Sequence, residues 1–169
     1  MNHHPSLCVL SIYPMIQGFA YILFAGPTNP IDWGIGYIAT SNAKRNTKML
    51  SRIEELMTKY QPDAIVIEDY LETRFHRSPR MLRLYRSMTH IAQTKAIDVC
   101  RVAKTDVLKC FGTVGAKTKH EIAQAVARQF PEFAHRLPKK RQVWDPQQRT
   151  MGLFTAAALA VVFYQQSST

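Results

Sequence analysis

The chain has 169 residues, 46% of them apolar and 20% charged. That composition suits one globular domain with a substantial core, and it excludes a low-complexity or repeat-built chain. Twenty-two Lys and Arg against twelve Asp and Glu give a formal charge of +10, which attracts polyanions because neutralised phosphates release their counterions; a basic protein with no nucleic-acid role stands beside that reading. The cysteines, Cys8, Cys100 and Cys110, are odd in number and lack CxxC spacing, which excludes a disulfide framework or a zinc site and fits a reducing cytoplasm. Residues 1–6 carry no basic region leading into an apolar stretch, so no signal peptide is read. The most apolar window, residues 151–164, is short for a bilayer span, and no membrane association is expected.

Residues 9–12 form a short apolar run stopped by Pro14 and predict a buried strand. Residues 18–24, rich in aromatic and β-branched side chains, predict a second. Gly26-Pro27-Thr28-Asn29-Pro30 is a turn, and residues 32–38 predict a third strand. Three strands joined by short turns suggest an antiparallel meander. From Lys44 to Tyr60 the period changes: Met49, Ile53, Leu56, Met57 and Tyr60 share one helical face, and Pro62 ends the helix. Ala64-Ile65-Val66-Ile67 is a continuous apolar run, as in a strand covered on both faces. Ser78-Pro79 starts a helix whose buried stripe is Met81, Leu84, Tyr85, Met88, Ile91 and Ala92. Residues 99–103 predict a short strand. A loop with Gly112 and Gly115 then leads to a helix over residues 118–129. Residues 131–146, basic and proline-containing, read as irregular, and a last helix covers residues 150–165.

Three basic sets stand out as candidates for nucleic-acid binding. Arg74, Arg77, Arg80, Arg83 and Arg86 recur every third residue, with no acid among them. This reads as a ridge that tracks phosphates, or as a solvated helix face, where mixed signs are commoner. Lys104, Lys109, Lys117 and Lys119 form a second set, and ordinary surface lysine is the alternative. Lys139-Lys140-Arg141 precedes Trp144 and reads either as a loop that clamps DNA or as a solvated loop. The six His residues form no HxH or HxxxH pair, so no zinc site is assigned. Gly112 and Gly115 belong to no Walker pattern.

Three stretches carry a family resemblance. They are Val9-Leu10-Ser11-Ile12-Tyr13-Pro14 followed by Gly18-Phe19-Ala20-Tyr21; Pro62-Asp63-Ala64-Ile65-Val66-Ile67-Glu68-Asp69; and Val102-Ala103-Lys104 through Val107 and Lys109 to Gly115-Ala116-Lys117-Thr118-Lys119. In this order, and with an Ala-Leu-Ala-rich C-terminal helix, they resemble the RuvC-type Holliday-junction resolvases of the RNase H-like superfamily. The resemblance implies an α/β fold with a mixed five-stranded sheet flanked by helices, as a single domain over residues 1–169. It implies metal-assisted hydrolysis of a phosphodiester in branched DNA, with several carboxylates converging on two Mg²⁺ ions. Glu68 falls at a retained catalytic position, and Lys109 and Lys119 fall at basic positions close to the DNA backbone. Phe75 and His76 fall in the loop that probes the junction, where an aromatic ring can stack on bases. A two-fold homodimer is also implied.

The sequence departs from this pattern at the acids. The first strand ends in Tyr13 where the family has Asp, and a phenol with a pKa near 10 is a poor Mg²⁺ ligand. The last helix has Phe154-Thr155-Ala156-Ala157 where the family places acids, so Phe154, Thr155 and Ala157 are read as degenerate positions. Asp69 is adjacent to Glu68 and points to the opposite face unless the strand has ended there. Asp32, Glu72 and Asp145 are the other acids weighed as substitutes. The expected function is therefore a RuvC-like nucleic-acid-binding protein, engaging branched DNA, with catalysis lost or impaired and Mg²⁺ needed only if it is active. The alternatives are an active structure-selective endonuclease with a rearranged site, and an RNase H-like scaffold for protein–protein association.

Overall fold

The computed structural model describes residues 6–72, 77–140 and 149–168. β1 (Cys8–Met15), β2 (Gly18–Ala25) and β3 (Pro30–Tyr37) form the expected antiparallel meander. α1 (Asn42–Tyr60) leads to β4 (Ala64–Glu68), and α2 (Pro79–Thr94) leads to β5 (Asp98–Val102). Both later strands run parallel with the central β1, giving a mixed sheet of order β3-β2-β1-β4-β5. α3 (Lys104–Gly112), α4 (Lys119–Gln129), a short 3-10 helix (Pro131–Arg136) and α5 (Met151–Ser167) complete the described chain. No helix among the described residues is long and apolar enough to cross a membrane.

Local chemistry sets the helix ends. Pro62 cannot continue α1, and Gln61 closes that helix in the left-handed conformation, its N–H returning to the carbonyl of Met57. At α2 the Ser78 side chain accepts from the Met81 N–H, with Pro79 at the first position. Thr118 and Glu121 form a reciprocal capping box at α4. Two short elements depart from the sequence reading. α3 occupies residues read as the loop after the strand, and residues 131–136 wind into a 3-10 turn rather than staying irregular.

Alternation along the central strands divides the core into two layers. Leu10 and Ile12 of β1 and Ile65 and Ile67 of β4 face α1 and α2, meeting Met49, Ile53, Leu84 and Met88. Val9, Ala64 and Val66 face the other way, toward α5, which is buried from Met151 to Tyr164 except at the half-buried Thr155. The hydroxyl of the fully buried Ser11 donates to the Ala156 carbonyl at 2.6 Å, fixing the height of α5 on β1. Gly152 lets the start of α5 lie close to the sheet: a Cβ there would sit 2.6 Å from Sδ of Met15. The N-terminal turns of α5 are thereby held against the ends of β1 and β4.

Candidate functional site

The parallel strands β1, β4 and β5 end at one edge of the sheet, where open α/β folds usually place their sites. Val9 pairs with Ala64 and Ser11 with Val66. Continuing that register by one step of two sets Tyr13 beside Glu68, on the face toward α5. Glu68 is the last residue of β4, so its carboxylate reaches past the edge of the sheet. There Nη2 of Arg77 stands 3.3 Å from Oε2, and the Tyr85 hydroxyl donates to the same oxygen at 3.3 Å. Both charged side chains are largely enclosed, Arg77 13% and Glu68 21% exposed. The guanidinium also lies 5.8 Å from the centre of the Tyr85 ring.

The two phenols here stay neutral. Burial, and then the Glu68 charge, push Tyr13 up to about 12, with Arg77 pulling the other way. Burial first and Glu68 second hold Tyr85 well above the ordinary phenol range. On its other side Tyr13 carries Lys119, whose Nζ lies 5.6 Å from the ring centre.

Tyr13 and Glu68 separate two cavities. The first, about 640 Å³, lies between the β1–β2 turn and α2 and takes in Ile16, Arg77, Met81 and Arg149. The second, about 320 Å³, opens between α3, α4 and α5. Its floor is Met151, Phe154, Ala158 and Leu159, its wall includes Val107 and Ile122, and its mouth carries Lys104, Lys117 and Lys119.

The candidate residues are dispersed by the fold. Phe154 and Thr155 line the second cavity, whereas Ala157 is packed in the core, and Met151 and Ala158 face the site in its stead. Lys109 is exposed on α3, outside the set of lysines at the mouth. Asp69 comes after the end of β4, and its Oδ1 accepts from the Leu71 N–H at 3.1 Å, closing a turn. Asp32 accepts from the hydroxyls of Tyr21 and Tyr60, and Glu72 follows Asp69 in the turn. The described members of the arginine series have different surroundings. Arg77 turns inward to Glu68, and Arg80 bonds Oδ1 of Asn46 at 2.8 Å and the Ile16 carbonyl at 3.1 Å. Burial and neighbouring Arg45 lower the Arg80 pKa. Arg83 and Arg86 face solvent, as do Lys139 and Lys140. Arg74, Phe75, His76, Arg141, Trp144 and Asp145 lie outside the described residues. Two partners at the site were missed by sequence reasoning. Tyr85 reads as core from its period, and nothing in the arginine spacing marks Arg77 as the ion-pair partner.

No protein-family model matches the sequence, and no curated protein is significantly similar to it. Solved structures do match. A Thermus thermophilus RuvC in complex with a Holliday-junction substrate aligns with a TM-score of 0.67 at 16% identity, over 96% of this chain and 97% of that one. Another Thermus thermophilus RuvC structure gives 0.66 at 18% identity, over 96% and 98%. The yeast mitochondrial Holliday junction resolvase Ydc2 gives 0.62 at 13% identity, over 96% and 80%. The class this defines is the RNase H-like α/β fold. Within that class the chain shares the fold of the RuvC structures, the mixed five-stranded sheet with flanking helices expected from the sequence.

Two Mg²⁺ ions, the cofactor that the RuvC resemblance implies, do not fit the described residues at this edge. Among the described residues that line the two cavities, the one carboxylate, Glu68, is already paired with a guanidinium, Tyr13 holds its proton, and α5 presents Met151, Phe154, Thr155 and Ala158. Among the described residues no group of three His, Cys, Asp or Glu side chains could hold a metal ion. A divalent pair needs several oxygen anions to balance its charge.

Proposed function

We propose that this chain binds branched DNA, a four-way junction in particular, and does not cut it by two-metal hydrolysis. The observation that carries the reading is the ion pair between Glu68 and Arg77 at the sheet edge, opposite an uncharged α5. The guanidinium supplies the single positive charge that Glu68 requires, so the carboxylate serves the fold and not a metal. The RuvC-type architecture, the +10 charge and the lysines at the mouth of the second cavity support DNA as the partner. Lys109, Lys139, Lys140, Arg83 and Arg86 extend the proposed contact surface. A homodimer belongs to the proposal, since a two-fold assembly suits a four-armed substrate, as does a location in the cytoplasm.

Labelled four-way junction incubated with the purified protein in Mg²⁺ or Mn²⁺ is expected to shift on a native gel and to remain uncut. Binding should weaken steeply with salt. Millimolar Mg²⁺ should leave the melting temperature unchanged, because no preformed anion cluster gains from the ion. Cleavage that Glu68→Gln abolishes would establish a rearranged nuclease instead. Affinity that is absent or indifferent to ionic strength would favour a scaffold for protein association.

A further inference from the structure

We infer that the cavity between α3, α4 and α5 is a nucleobase pocket, which takes one unstacked base of bound DNA while the lysines at its mouth hold the adjoining phosphate. The inference rests on the reading that the chain binds branched DNA. It assigns a use to the space that an acid-lined metal site would otherwise occupy.

The volume of about 320 Å³ lies at the low end for small-molecule sites and gives room for one base with its sugar. Behind a floor of Phe154, Ala158 and Leu159 that is at most 2% exposed, the apolar surface open to a ligand comes from the half-buried Val107 and from the edges of Ile122 and Met151. Such a surface accepts the flat face of any base, since stacking and burial do not depend on base identity. Leu108, also lining the cavity, is 42% exposed, an apolar side chain at the lip beside three cations. A wholly apolar ligand would not use the charge at the mouth, and a bare phosphate would not use the floor. A nucleotide uses both.

The inner end can meet the edge of a base. Tyr13 keeps its hydroxyl proton, and the Glu68 carboxylate accepts. The Thr155 hydroxyl spends its proton on the Met151 carbonyl at 3.2 Å and offers its oxygen as an acceptor. A branched substrate also lowers the cost of extrusion, because a base at the branch point has already lost part of its stacking.

The test uses the full chain and a four-way junction with 2-aminopurine at the branch point and a dye on a distant arm. Dye anisotropy reports binding, and 2-aminopurine fluorescence rises when the base leaves the stack. We expect a several-fold rise on saturation. Ala158→Phe fills the floor, and Thr155→Phe grows from a half-buried position at the cavity. Each should abolish the rise and weaken binding by about tenfold, the weight of one stacked base, with the salt dependence unchanged. Loss of the rise in either variant that keeps the wild-type circular dichroism supports the pocket. Normal anisotropy with flat fluorescence in the wild type, or a rise surviving both substitutions, overturns the pocket alone. Absence of an anisotropy change overturns the DNA reading and the pocket together.

Discussion

The arginines around the start of α2 and the lysines at the mouth of the second cavity carry the same charge on either side of Glu68, but the fold uses them differently. Arg77 and Arg80 are drawn inward, one to a carboxylate and the other to Asn46 and a backbone carbonyl. Their planar forks are suited to such fixed, many-bonded positions. Lys104, Lys117 and Lys119 keep exposed positions around an apolar hollow, where a flexible ammonium can follow a phosphate. Net charge counts all five residues alike. Only the environment separates cations that hold the protein together from cations that can meet a ligand.

The largest effect that would sharpen this contrast comes from Arg77→Met. It leaves Glu68 enclosed without its cation, and we expect a loss of about 2 kcal/mol, less than for a fully buried pair. For a chain of this size that lowers the melting temperature by about 4–8 °C. Adding Glu68→Gln should restore most of it, since the uncompensated charge is then gone. An unchanged melting temperature in the single variant would show that the pair does not hold the sheet edge.

A second contrast sets Arg80→Ala against a triple Lys104→Gln, Lys117→Gln, Lys119→Gln variant. The first should cost about 1–2 kcal/mol of stability in chemical denaturation and leave junction affinity alone. The triple variant, which also takes Lys119 off the Tyr13 ring, should lose no more than about 1 kcal/mol of stability but bind more weakly. The slope of log affinity against log salt should flatten by about 0.9 for each phosphate that is no longer neutralised. If Arg80→Ala also flattened that slope, the division between inner arginines and outer lysines would fail.

How far the sequence could have foretold this division varies with the element. The meander was legible because the turn at Gly26-Pro27 is explicit, and β4 because its apolar run needs cover on both faces. Ser78-Pro79 marked the start of α2. α3 was not legible: it is nine residues long, begins at Ala103 without a side-chain cap, and ends among glycines that signal a loop. The face of α5 was unreadable for a different reason. That helix is buried on every side, so its hydrophobic pattern has no phase, and one residue of rotation decides that Ala158 lines the cavity where Ala157 does not. The inward turn of Arg77 depends on where Glu68 and Tyr85 end up in space, which a spacing of three cannot encode.

The smallest expected effect reads the contrast at Tyr13, which lies between the two basic groups. Tyr13, Tyr21 and Tyr164 are each raised to about 12, in every case with burial as the first cause. A phenol whose folded pKa exceeds its unfolded value of about 10 contributes stability that is complete below pH 10. Above that the unfolded chain releases its proton first, so stability falls as pH climbs toward 12. Melting temperature should therefore stay level to about pH 9.5 and then decline, with the phenolate absorbance of these tyrosines appearing late in the titration. For Tyr13 the neighbours can be varied one at a time. Glu68 raises its pKa and Arg77 lowers it, so Glu68→Gln should bring ionisation to lower pH and Arg77→Met should delay it further. Difference titrations against Tyr13→Phe isolate that residue. Shifts of the opposite sign would mean that the pair does not govern the field at the sheet edge, and the account of Glu68 as the partner of Arg77 would have to be given up.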